Sequence, residues 1–67
     1  MYRILRAEMV RTNVQNSELA SILGVNLATI SRKMNRKDGV FSLDEAIKVK
    51  KALGAEMPLE DLFKWED

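Results

Sequence analysis

The stretch ELASILGVNLATISRKMNRK, Glu18 to Lys37, reads as two short helices meeting at Gly24. Leu19, Ala20, Ile22 and Leu23 recur at helical spacing, which predicts a helix that begins at Gln15 or Asn16 and turns these four toward a core. Gly24 suits the position just past a helix end, where left-handed backbone is cheap only for glycine. Val25 is the apolar residue of the turn, and Asn26 is a good N-cap for a following helix that runs to about Asn35. Ile30 and Met34, four apart, give that helix one buried face and leave Thr29, Arg32, Lys33 and Arg36 pointing outward. Asn26 to Lys37 holds four basic residues and no acid, in a chain that has ten acids. This segment is either a solvated flank or a surface suited to an anionic partner.

Working toward the start of the chain, Ile4, Leu5, Ala7, Met9 and Val10 form an apolar stripe between Arg3, Arg6, Glu8 and Arg11, which predicts a first helix from about Tyr2 to Arg11. Thr12, Asn13 and Gln15 end it. Toward the other end, RKDGV reads as a loop. Ser42-Leu-Asp-Glu45 is a capping box that starts a fourth helix, with Leu43, Ala46, Ile47 and Leu53 as its buried side and Gly54 as its stop. Pro58 suits a first helical position, so PLEDLF is expected to form a short fifth helix with Leu59, Leu62 and Phe63 inward. Five helices, no strand signal and no internal repeat make a single all-α domain of residues 1–67.

Sixty-seven residues support only a modest core, so function must sit on the surface. The absence of cysteine and histidine excludes disulfide scaffolds, thiolate zinc sites and His-based acid/base chemistry. No apolar run approaches the roughly 20 residues that span a bilayer, and no targeting pattern opens the chain, so a cytoplasmic location and no membrane partner are expected. Residues 1–53 carry ten basic residues against five acids, a net of +5, whereas the rest carries Lys64 against five acids, a net of −4. A basic body with an acidic end suits an anionic partner met on one side. Asp44 and Glu45 are adjacent carboxylates, but they fall in a first helical turn, where acids favour the dipole. With no glycine-rich phosphate loop either, no catalytic residue, metal site or cofactor is expected.

The turn Leu23-Gly24-Val25 followed by a capped helix has helix-turn-helix geometry, in which the second helix enters a DNA groove. ELASILGVNLATISRKMN moreover resembles the helix-turn-helix of the Xre/Cro/CI class of phage repressors and related bacterial regulators, whose pattern is roughly ELA, LGVS, then TIS and a basic residue. The resemblance extends from Leu5 to Phe63 and includes SLDEA, KALG and PLEDLF. It implies a five-helix lambda-repressor-like domain, with its helix-turn-helix core at about residues 16–35. It also implies binding of double-stranded DNA for transcription regulation, as a repressor in a bacterial or phage-infected cell. Leu27, Ala28 and Thr29 fall where family members read base edges, with Arg32 one turn further and Lys33 beside it. Asn16 falls where relatives contact phosphate. Gln15 and Ser17 flank it at a helix start, where phosphates also bind. Arg36 and Lys37 occupy a loop that in the family often follows the DNA backbone.

The chain departs from the family pattern in several places. Leu27 and Ala28 are apolar where several relatives carry polar readers, so a thymine-methyl contact is expected in place of paired hydrogen bonds. Many relatives pair a buried arginine late in the first helix with a glutamate near the end of the third; those positions here are Met9 and Met34, an apolar exchange that avoids a desolvation cost. Lys50 stands where relatives often have a small residue, and its stem is expected to snorkel.

Trp65 lies in a charged tail, where its ring either folds back or meets a second subunit. A homodimer through Phe41, Leu59, Leu62, Phe63 and Trp65 is expected, because one helix-turn-helix reads only a few base pairs and pairing gives a longer, pseudo-palindromic operator. The rival expectation is an antitoxin-like or adaptor module whose partner is a protein docked on the C-terminal apolar surface. No separate sensor domain is evident, so no small-molecule ligand is expected.

Overall fold

Asn26 and Ser42 set the two best-defined helix starts. In the computed structural model, which describes residues 1–35 and 40–66, the Asn26 side chain accepts the Thr29 N–H at 2.8 Å. Ser42 accepts the Glu45 N–H at 3.2 Å, and Glu45 in turn accepts the Ser42 N–H at 2.9 Å, completing the capping box. The described residues form five helices and no strand: α1 (Arg3–Thr12), α2 (Asn16–Leu23), α3 (Leu27–Met34), α4 (Leu43–Leu53) and α5 (Leu59–Leu62). The domain is all-α. Pro58 precedes α5 as its N-cap residue instead of opening it. No helix among the described residues is long and apolar enough to cross a membrane.

Glycine at position 24 is required by conformation and not by space. Gly24 has φ +70°, whereas a Cβ added there would meet no atom within 4 Å. Val25 N–H then donates to the Ala20 carbonyl at 3.0 Å, closing the turn between α2 and α3. Gly54 ends α4 in the same way, with φ +63°. At the end of α1 the left-handed position is taken by Asn13, φ 57°, the one residue type besides glycine and aspartate that visits this region readily.

α4 holds the bundle together, touching α1, α2 and α5, while α2 packs against α3 and α1 against α5. The core comprises Leu5 and Met9 of α1, Leu19 and Ala20 of α2, Ile30 and Met34 of α3, Val49 and Leu53 of α4, and Leu62 of α5, with Tyr2 and Ala55. Met9 and Met34 are both buried in this one cluster.

Several expected core positions prove to be surface. Val10 is 82 % exposed, Leu43 68 % and Ile47 47 %. α4 carries two apolar stripes, 43/47 and 46/49/53, and only the second faces inward. Val49, on that stripe, is fully buried although the sequence reading passed over it. Ile22 likewise faces outward, and the inward side of α2 is made by Leu19 and Ala20 with Leu23 partly buried.

A ring cluster seals one side. Tyr2 is buried with Phe41 and Phe63 each at 5.9 Å between ring centroids and Trp65 edge-on at 5.0 Å, while Phe41 and Phe63 lie 5.3 Å apart. The Trp65 ring therefore folds back. Glu66 N–H donates to the Met1 carbonyl at 2.9 Å, and the Met1 amino group donates to the Glu66 carbonyl, fixing that return.

Candidate functional site

α3 divides its side chains between two duties. Ile30 and Met34 fill the core, and on the opposite side Leu27, Ala28, Ser31, Arg32 and Asn35 together line a shallow open groove. All five are exposed, Leu27 at 51 %. Their spacing of three, four and seven residues places them on one helical face. Ser31 and Asn35 were not singled out from the sequence, although the same periodicity that finds the buried face, shifted by half a turn, would have found them. Asn35 donates through Nδ2 to the Ser31 carbonyl at 3.0 Å, which finishes the helix and fixes the amide beside Ser31.

Two expected readers lie elsewhere. The Thr29 hydroxyl donates to Asn26 Oδ1 at 2.9 Å, so its proton is committed to the cap and only its acceptor capacity remains. Lys33 turns away from the groove toward α4. Its Nζ donates to both carboxylate oxygens of Glu45, at 2.6 and 2.8 Å, and lies 6.0 Å from the centre of the Phe41 ring. About a fifth of each side chain in the pair is exposed. Hydrogen bonding from Lys33, then from the Ser42 backbone, holds the Glu45 carboxyl below its ordinary value. No local sequence signal joins residues 33 and 45, which sit on different helices.

At the other edge of the surface, Gln15 is the extended N-cap residue of α2 but makes no side-chain cap bond. Gln15 and Asn16 line a second groove with Arg6, Met9, Val10, Val14 and Met34, and Ser17 is exposed beside it. Arg6 thus joins the expected phosphate-side residues. Arg36 and Lys37 lie outside the described residues. No family model, no curated protein and no solved structure matches this chain. The functional reading therefore rests on the site itself.

The expected pairing surface is redistributed. Leu62 is fully buried and belongs to the core, and Trp65 folds onto Tyr2, so these two offer little to a second molecule. What remains open is a depression whose lining includes Val40, Phe41, Leu43, Leu59, Glu60 and Phe63. Val40 is 50 % exposed, and Ile47 continues the apolar strip one turn beyond Leu43. Lys50 is partly buried beside Ile47 and Gly54, in accord with a stem laid along the surface. Among the described residues no group of three or more acidic side chains could hold a metal ion.

Proposed function

We propose that this chain is a sequence-specific double-stranded DNA-binding transcriptional regulator of phage repressor or Cro type, with α2 and α3 as the helix-turn-helix of a lambda-repressor-like domain. The observation that carries the reading is the outer face of α3. It combines a capped N-terminus, an acid-free basic helix and a single open groove that holds Leu27, Ala28, Ser31, Arg32 and Asn35. α3 would lie in the major groove with Arg32 and Asn35 supplying hydrogen bonds to base edges and Leu27 and Ala28 supplying apolar contact to a thymine methyl. Asn16, Ser17 and Arg6 would meet phosphates at the start of α2, where the helix N-terminus favours negative charge. Action is by occupancy, without chemistry or cofactor.

Pairing of two copies would extend the site, and the strip Val40, Leu43, Ile47 and Leu59 is the surface that supports it. The same strip supports the second reading, a module of antitoxin or adaptor type that docks a protein partner there. Selection from a random duplex pool near physiological salt separates the two. Enrichment of a pseudo-palindrome with half-sites about one helical turn apart supports a dimeric regulator. No enrichment refutes the regulator and moves the protein partner forward. Within an enriched site, Arg32→Ala should cost about 1 to 3 kcal/mol and relax choice at one position. An equal loss on random DNA would remove Arg32 from base reading.

A further inference from the structure

We infer that the strip on α4 takes a second copy of this chain, with the two α4 helices antiparallel across a two-fold axis at Ile47 and Asp44 of each copy facing Lys51 of the other. The inference deepens the pairing of copies in the reading above and rests on it. What identifies the occupant is the order of side chains around Ile47, which is 47 % exposed near the middle of the helix. One end of the strip is acidic, because Glu60 lines the depression that holds Val40, Leu43 and Leu59, and Asp44 is exposed next to Leu43. The other end is basic, because Lys50 and Lys51 share a groove with Ile47 and Gly54. No ion pair joins Asp44 or Lys51 to another of the described residues.

Helix geometry turns that order into self-complementarity. Asp44, three residues before Ile47, and Lys51, four after it, stand about 4.5 and 6 Å away along the axis and turn about 60° and 40° to the same side. Leu43 and Lys50 turn about 40° and 60° to the opposite side. A two-fold axis that lies in the contact plane and crosses α4 at Ile47 reverses the helix direction and keeps the sides. Asp44 therefore meets Lys51 of the other copy, while Lys50 lays its stem on the other copy's Leu43 with its ammonium toward Glu60, and each contact is made twice. Parallel packing of the same faces would set like charges at the same height. The apolar centre is small beside the roughly 800 Å² per partner of a standard interface, so the free chain pairs weakly and its charges decide the geometry. None of these residues lines the groove on α3, which pairing leaves open.

Sedimentation equilibrium without DNA, from micromolar to near-millimolar protein, tests this on the parent, Asp44→Lys, Lys51→Asp, and the charge-exchanged double Asp44→Lys/Lys51→Asp. Glu18→Lys is the control, because Glu18 is an exposed first-turn acid on α2 that lines no part of the strip. The parent should associate. Each single variant on α4 should weaken association by about 10-fold, since it turns two attractive exposed pairs repulsive. The double should return close to the parent, and so should an equal mixture of the two singles, in which each supplies the charge the other lacks. Glu18→Lys should stay close to the parent. A double at least as weak as either single, or an equal loss in Glu18→Lys, overturns the inference. A parent that is monomeric throughout yet enriches a duplex overturns it and leaves DNA binding standing. A parent that pairs as described but retains no duplex supports it and removes the DNA reading alone.

Discussion

Replacing Trp65 by alanine should cost about 3 kcal/mol, and by the same amount at every protein concentration. The ring is mostly buried against Tyr2, in an edge-on pair with centroids 5.0 Å apart at 84°. Burying about 100 Å² of aromatic surface contributes about 2.5 kcal/mol, and edge-to-face pairing adds about 0.5 to 1.5 kcal/mol beyond area. A domain of 67 residues has only about 3 to 10 kcal/mol in total, so the variant should be severely weakened or largely unfolded. Because the chain has one tryptophan, the substitution removes the fluorescence signal, and urea unfolding is best followed by far-UV circular dichroism at two widely separated concentrations. Trp65→Phe should fall between parent and alanine variant. A loss below about 0.5 kcal/mol would refute the packing argument, because that is the range of substitutions on an open surface. A loss that disappears at high concentration would place the ring between two copies instead of within one.

Leu43→Lys should leave unfolding within about 0.5 kcal/mol of the parent, since Leu43 is 68 % exposed, yet it should shift sedimentation toward the monomer if the strip on α4 pairs two copies. Asn13→Gly should raise stability by a few tenths to about 1 kcal/mol, because Asn13 holds a left-handed φ of 57° at the end of α1; a lower urea midpoint would contradict this. The Glu45 carboxyl is depressed from its ordinary value of 4.5, so its contribution is fully present above that value and is lost as pH falls through the lower folded-state value. Thermal midpoints taken downward from neutral pH should therefore decline below about pH 4.5 in the parent, and less steeply in Glu45→Gln. Equal slopes would mean that Lys33 and Glu45 are not coupled in solution.

Element existence was legible because the chain marks its helix ends with residues that have one physical reason to be there: Asn26 and Ser42 as caps, Gly24 and Gly54 as left-handed stops. Facing was harder. On α4 the sequence offers Leu43 and Ile47 as readily as Ala46 and Val49, and periodicity alone does not say which stripe meets α1, α2 and α5. Val10 and Ile22 misled for the same reason, since each lies next to the apolar residues that do turn inward. The candidate site was half legible. Leu27, Ala28 and Arg32 were singled out by the resemblance laid on the turn and cap, whereas Ser31 and Asn35 share their helical face by periodicity alone. The Lys33–Glu45 pair joins two helices and is a tertiary fact that no local pattern holds.

That pair also bears on why α3 has a face to spare. An eight-residue helix is marginal by itself, so its orientation must come from outside its own hydrogen bonds. Ile30 and Met34 anchor it in the core, Asn26 closes its start, and Lys33 ties its last turn to the first turn of α4. These four contacts use one side and the two ends, and none of them draws on the side chains of Leu27 or Ala28. An exposed leucine is ordinary on a protein surface and a basic helix is ordinary too. The combination carries more weight, because Leu27 and Ala28 stand exposed on a face that the anchors of α3 leave open. Specificity on such a helix can change residue by residue while the scaffold that aims it stays fixed.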